Sequence, residues 1–147
     1  MKKQSGFTII ELIMAFVVLV TLTIFFAIQR NDLEAAARDQ VRKTAINAMY
    51  YNLTEVFHAK NGYYPENISR NNLTAMDPAL FTDPSEFTLN GNECNFVDLE
   101  GNKATDGDCE YHYTSSDCNE SGECQKFKLV ADMEAEAEFS RSSPEKK

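Results

Sequence analysis

Between Phe7 and Lys60 the chain has neither glycine nor proline, and the first part of that stretch reads FTIIELIMAFVVLVTLTIFFAI. Leu12 to Gln29 is an unbroken run of 18 uncharged residues, long enough for a membrane-spanning helix. A helix from Phe7 to Lys60 would be roughly 80 Å long at about 1.5 Å per residue, far more than the hydrocarbon core of about 30 Å. The sequence therefore predicts a helix in two parts, an apolar half over 7–30 and an amphipathic half over 31–60. Lys2 and Lys3 precede the apolar run. Basic residues hold that end in the cytoplasm, so the remainder of the chain should face outward.

Glu11 is the one charge inside the apolar half. A carboxylate at the centre of a span costs roughly 2.5–3.5 kcal/mol on insertion scales, and less near the end, so it marks a functional candidate. A secretory signal peptide does not account for it. Such a peptide has an apolar region of about 7–15 residues ending at a small-residue site. Here Ala35-Ala36-Ala37 lies well past the apolar run, between Glu34 and Arg38. A plain single-span anchor leaves Glu11 unexplained unless it snorkels to the interface. No Lys or Arg stands between Glu11 and Arg30, so the span offers no basic partner. Cleavage after Gly6 would create one, the α-amine of Phe7.

These residues carry a resemblance. Gly6-Phe7-Thr8-Ile9-Ile10-Glu11-Leu12, behind a short basic leader, resembles the processing site of type IV prepilins. The resemblance implies removal of residues 1–6 by a membrane-embedded prepilin peptidase and N-methylation of Phe7. It also implies that Glu11 pairs with the Phe7 ammonium of a neighbouring subunit. Both charges would be costly alone in an apolar filament core, and pairing offsets that cost while setting the axial register. Gly6 presents no side chain to obstruct cleavage. Many members carry a helix-breaking Gly and Pro in the apolar segment, whereas this chain has neither.

Beyond Ile28, Leu33, Ala37, Val41, Ala45, Ala48, Met49, Leu53 and Val56 recur at three- and four-residue steps, the pattern of an apolar helical stripe. Glu34, Arg38, Asp39, Arg42, Lys43 and Asn47 are expected on the opposite, solvated face, with Glu34–Arg38 and Asp39–Lys43 as i,i+4 pairs. Asn61-Gly62 supplies a stop and Pro65 forbids resumption. Asn61-Gly62-Tyr63-Tyr64-Pro65 also resembles the pilin helix end, and the two tyrosines are expected to pack back on the helix.

Residues 31–60 hold four basic and four acidic residues, while 61–147 hold seven basic and 18 acidic ones. The head therefore holds the surplus of negative charge, which disfavours bulk nucleic-acid binding. A head over 61–139 is expected to be β-rich, with a solvated tail over 140–147. Glu66–Ser85 reads as a loop with a short helix around Asn72–Leu80. Strand candidates are Phe87–Leu89, Asn95–Leu99, Glu110–Ser115 and Gln125–Ala131, with Met133–Phe139 as an edge strand or frayed end. The fold class expected is α+β, a pilin fold whose long helix packs on a small antiparallel sheet of three or four strands.

So small an exported head calls for covalent staples. Four cysteines allow three connectivities, and Cys94–Cys109 with Cys118–Cys124 is favoured, the latter bracketing the turn-rich Asn119–Glu123. Zinc is disfavoured because the spacing is not C-x-x-C and the histidines are only His58 and His112. Asp98, Asp106 and Asp108 are weak calcium candidates, with a solvated acidic loop as the preferred reading. The Asn-x-Ser/Thr matches at Asn52, Asn67, Asn72 and Asn119 are weak signals in an Asn-rich chain. No nucleophile elbow, phosphate loop or H-E-x-x-H motif occurs, so neither an enzyme nor a cofactor is expected.

The function expected is a structural subunit of a type IV pilus-like filament, serving adhesion, twitching motility or surface interaction. The resemblance implies as partners further copies of the chain, the prepilin peptidase, an assembly ATPase and a platform membrane protein. The place implied is the cytoplasmic membrane, head outside, and then the extracellular fibre. Two alternatives stay open: a pseudopilin of a type II secretion or DNA-uptake system, and a single-span surface-binding protein.

Overall fold

A computed structural model describes residues 8–90, 93–97, 103–104 and 109–144. It contains one long helix and a small antiparallel sheet, an α+β pilin-like architecture. Helix α1 spans Ile9–Tyr51, a π-helical segment covers Asn52–Phe57, and α2 covers His58–Asn61. The helix stops where the sequence requires it. Gly62 takes the left-handed conformation at φ +82° and its N–H donates to the His58 carbonyl at 2.8 Å. A residue with a Cβ would be strained there.

Two compact units divide at Ala35/Ala36. In the first, every large apolar side chain from Ile9 to Ile28 is exposed, and even Val20 is 39% exposed. This helix is long and apolar enough to cross a membrane. Thr21 and Thr23 are satisfied within the helix, Thr21 donating to the Val17 carbonyl and Thr23 to that of Leu19 at 2.8 Å. Lipid cannot supply those hydrogen bonds, so back-bonding suits a lipid-facing segment.

The second unit holds the core. After β1 (Tyr64–Pro65) comes a 3-10 turn at Pro78–Phe81, then β2 (Phe87–Asn90), β3 (Glu93–Val97) and β4 (Lys103–Ala104). The chain continues through β5 (Tyr111–Cys118), β6 (Glu123–Ala131) and β7 (Phe139–Ser142). Strand β6 is central: β5 pairs along one side, and β1 and β7 occupy the other in tandem. Strands β2, β3 and β4 form a separate antiparallel sheet. Alternation in β5 and β6 sends Tyr111, Tyr113, Phe127, Leu129 and Ala131 inward, where they meet Ala45, Ile46, Met49 and Leu53 of the helix. Tyr64 stacks on His58 at 4.6 Å and meets Phe127 edge-on, and Tyr63 packs edge-on against Phe57, so both tyrosines fold back on the helix or its sheet.

The helix buries a different stripe from the one periodicity predicts. Ala45, Met49 and Leu53 are buried as expected, but Leu33, Val41 and Val56 are exposed, and Ala48 is half-buried. Asp39 and Arg42, expected on the solvated face, are 0% and 1% exposed. The two stripes differ by about a quarter-turn of helix, and an ionic cluster decides between them. The expected i,i+4 pairs are redistributed too: Glu34 binds Arg30, Arg38 binds Glu134, and Lys43 binds Glu136. Arg38 and Lys43 thus take partners from the segment after β6, whereas Glu34 keeps one on its own helix.

The loop expected to carry a helix over Asn72–Leu80 narrows to the 3-10 turn, started by Asp77, whose carboxylate accepts from the Ala79 N–H at 2.9 Å. Met133–Phe139, expected as an edge strand or frayed end, lies before β7 instead, apart from Phe139 at its start. Strand β7 extends into residues expected to form a tail. Polar Ser140 and Ser142 conceal that strand from a hydrophobic pattern, because an edge facing water needs no apolar side chains.

Candidate functional site

The functional residues expected from sequence gather at the start of α1. Gly6 and Phe7 lie outside the described residues. Thr8 is the N-cap and Glu11 stands three positions on. The Thr8 N–H and hydroxyl both donate to Glu11 Oε2 at 3.1 Å, and the Glu11 N–H donates back to Thr8 Oγ1 at 3.4 Å. This reciprocal arrangement is a capping box. It satisfies two of the N–H groups that every helix leaves unpaired at its start. The first α-helical bond comes next, from the Leu12 N–H to the Thr8 carbonyl at 3.2 Å.

The box gives Glu11 a local partner. Its carboxylate is not a lone charge at the mouth of an apolar helix, because its own N-terminal turn holds it. Only Oε2 is used in the box, and a carboxylate accepts up to about four hydrogen bonds. Oε1 can therefore receive a second donor while the box stays closed. The positive end of the helix dipole favours the same charge. Thr8 was not among the expected site residues, although Thr-x-x-Glu immediately before an apolar run marks a helix start.

The head carries a second polar centre, built on Arg42. Its Nε and Nη2 donate to the two oxygens of Asp83 at 2.7 and 3.0 Å, and Nη1 donates to Asp39 at 3.2 Å. Nη2 also reaches Ser85 at 3.1 Å, and Nη1 lies 2.8 Å from a Glu134 oxygen. A buried guanidinium is tolerable only with its donors and charge matched in this way. The Asp83 carboxylate pushes the Arg42 pKa further up against the opposing effect of burial. Burial alone would raise the Asp39 pKa, but the backbone N–H groups of Glu134 and Ala135, at 2.9 and 2.8 Å, and Arg42 bring it below the usual range. Arg38 lowers that of Glu134. Glu110 goes the other way, raised by burial and then by Asp83, and its Oε2 has no hydrogen-bond partner among the described residues. These groups anchor the helix to two loops, and their chemistry is that of a structural ionic cluster.

Cys118 and Cys124 are joined in a disulfide across opposed positions of β5 and β6. Within its loop, Asn119 Oδ1 accepts from the Ser121 and Glu123 N–H groups at 3.0 and 2.9 Å, and Gly122 turns at φ +75°. The Asn119 amide donates to Glu123 at 2.7 Å, so this Asn-x-Ser match is tied into a turn. Cys109 is disulfide-bonded, and the Cys94 side chain expected as its partner lies outside the described residues. So do the calcium candidates Asp98, Asp106 and Asp108. Among the described residues, no group of three or more His, Cys, Asp or Glu side chains is arranged to hold a metal.

No curated protein and no solved structure matches the chain. Residues 1–27 match the family described as the prokaryotic N-terminal methylation motif. The match contains the leader, Gly6-Phe7, the Thr8–Glu11 box and most of the exposed apolar helix. Residues 1–27 thus carry the class III signal peptide of type IV pilins and pseudopilins.

Proposed function

We propose that the chain is a structural subunit of a type IV pilus-like filament, cut after Gly6 and assembled through its apolar half-helix. The observation that carries this reading is the closed Thr8–Glu11 box at the opening of a half-helix whose large apolar side chains, from Ile9 to Ile28, are all exposed. In the membrane before assembly, lipid covers those side chains and Thr8 satisfies Glu11. After cleavage, the Phe7 ammonium of a neighbouring subunit pairs with Glu11 through the carboxylate oxygen that the box leaves open. Transfer from lipid to a bundle of like helices exchanges one apolar environment for another, so close packing and this ion pair decide the register.

The motif implies processing by a prepilin peptidase and an assembly machinery in general. We assign to that machinery an assembly ATPase and a platform membrane protein, with the head outside the cytoplasmic membrane before assembly and on the fibre surface afterwards. Cys94–Cys109 is proposed as the second disulfide of the head. Glu11 itself favours a shaft subunit over a pseudopilus tip, where this acid is often missing.

Intact mass measurement of the purified protein tests the reading. The expected species begins at Phe7, heavier by one methyl group; a mature chain beginning elsewhere overturns it. Electron microscopy of the cell surface then separates long fibres from a short periplasmic pseudopilus.

A further inference from the structure

Between β6 and β7 the chain crosses the helix without joining any strand ladder. We propose that this segment, residues 132–138, is a detachable ionic strap on the head, released when Asp39 and Glu134 take up protons.

Its attachment is mostly electrostatic, with Met133 packed against the core as its apolar contact. Met133 is half-buried, and the other six side chains are exposed. The backbone is held at three points: the Asp132 N–H donates to the Glu110 carbonyl at 2.8 Å, and the Glu134 and Ala135 N–H groups donate to the two oxygens of Asp39. Glu134 binds Arg38 and Arg42, and Glu136 binds Lys43. Glu138 reaches Lys128 of β6 at 3.6 Å, and Asp132 reaches His112 of β5 at 3.3 Å. The strap borders an open groove of about 520 Å³, whose lining includes Arg38, Arg42, Ser85 and Glu110 together with Met133 and Glu134. Asp83 faces the same cluster through Arg42, and Tyr111 adjoins Asp83 from β5.

Two features let the strap leave while the core stays. Arg42 keeps its two bonds to Asp83 when Glu134 departs, so the buried cation is not stranded. The helix side chains in the core, Ala45, Ile46 and Met49, pack against β5 and β6 and the loops, not against side chains of residues 134–138. Asp39 is the decisive acceptor. An ionised carboxylate can receive two backbone N–H groups and a guanidinium at once, whereas a protonated one carries a donor of its own and loses the charge that strengthens those bonds.

Each group contributes its own sign to the pH effect. Asp39 and Glu134 sit below their ordinary values, so their hold is complete above the usual carboxylate range and is lost as the pH falls through their lowered pKa values. Glu110 sits above its ordinary value and protonates first, which removes a repulsion toward Glu134. The strap should therefore be tightest in mild acid and open in stronger acid.

Residue-resolved hydrogen exchange on the full processed chain in detergent micelles, from pH 7 to about pH 1.5 and corrected for intrinsic rates, tests this. The expected result is a loss of protection of about tenfold or more at the Glu134 and Ala135 amides, while Tyr113 and Leu129 keep theirs. Asp39→Asn should produce the same local loss at pH 7. Should that variant not fold, Glu134→Gln, which removes only side-chain attachments, should give a smaller local loss, and Glu138→Gln none at those two amides. Protection that persists to about pH 1.5, or that disappears only together with Tyr113 and Leu129, overturns the proposal. So does a folded Asp39→Asn or Glu134→Gln chain whose strap amides exchange at the unaltered rate.

Discussion

From Ile9 to Ile28 the long helix exposes every large apolar side chain, whereas around Asp39–Leu53 it buries two charges and a short apolar stripe inside the head. Among the described residues nothing buries the apolar half, so its stability depends on what surrounds it. The head half carries its environment with it: a core of aromatic and aliphatic side chains, an ionic cluster on Arg42 and a disulfide. A single carboxylate sits at the start of the first, and three carboxylates pair with one guanidinium in the second. In both places a charge is matched by hydrogen-bond partners, donors from Thr8 at Glu11 and acceptors from Asp39, Asp83 and Ser85 at Arg42. At Glu11 that arrangement is local and leaves one oxygen open; at Arg42 it is long-range and closed.

If the two halves are this separate, changes in one should leave the other untouched. The largest expected effect is on assembly. Glu11→Gln should lower fibre yield more than tenfold, counted by electron microscopy or shear fractionation, with the melting temperature of the head unchanged. Normal fibres from that variant would dissolve the contrast between an assembly half and a folding half.

Next is Arg42→Met, which leaves Asp39 and Asp83 without their cation. Breaking a buried ion pair by removing one partner costs about 3–5 kcal/mol, so the head should unfold at much lower denaturant concentration while cleavage after Gly6 proceeds. Replacing Cys118 and Cys124 together by Ser should cost roughly 2–3 kcal/mol in the chain-entropy picture for so short a loop, read by the same denaturation. Thr8→Val removes the N-cap and should cost about 1 kcal/mol of local helix stability. Fibres should still form, more slowly, and a Thr8→Ser chain should recover the native rate.

The smallest effect is the pH response of the head. Glu110 carries a raised pKa, so its ionised form opposes folding at neutral pH. Glu110→Gln should therefore raise the melting temperature slightly at pH 7 and do nothing once the pH is below the range in which Glu110 titrates. A lower melting temperature at pH 7 would mean that Glu110 has an ionic partner it needs.

The start of α1, the run of exposed apolar residues, the stop at Gly62 and the central strands β5 and β6 were legible because each rests on local chemistry or on a period that the sequence repeats. Thr8 was legible as well, through its spacing to Glu11. The burial of Asp39 and Arg42 was not. A helical wheel scores charged residues as solvated, and the partners that reverse this, Asp83 and Glu134, lie 41 or more positions away along the chain. The same blindness turned the predicted apolar stripe away from the true one and hid β7, whose side chains give little hydrophobic signal.

Sequence alone determined that this chain carries an N-terminal signal for processing, because a leader, a Gly-Phe junction and an acid before an apolar helix act through neighbours in the chain. Only the tertiary structure decided which face of the helix enters the head and what lies across it. That choice belongs to Arg42, whose cost of burial is met by residues from three separate segments that no local pattern brings together.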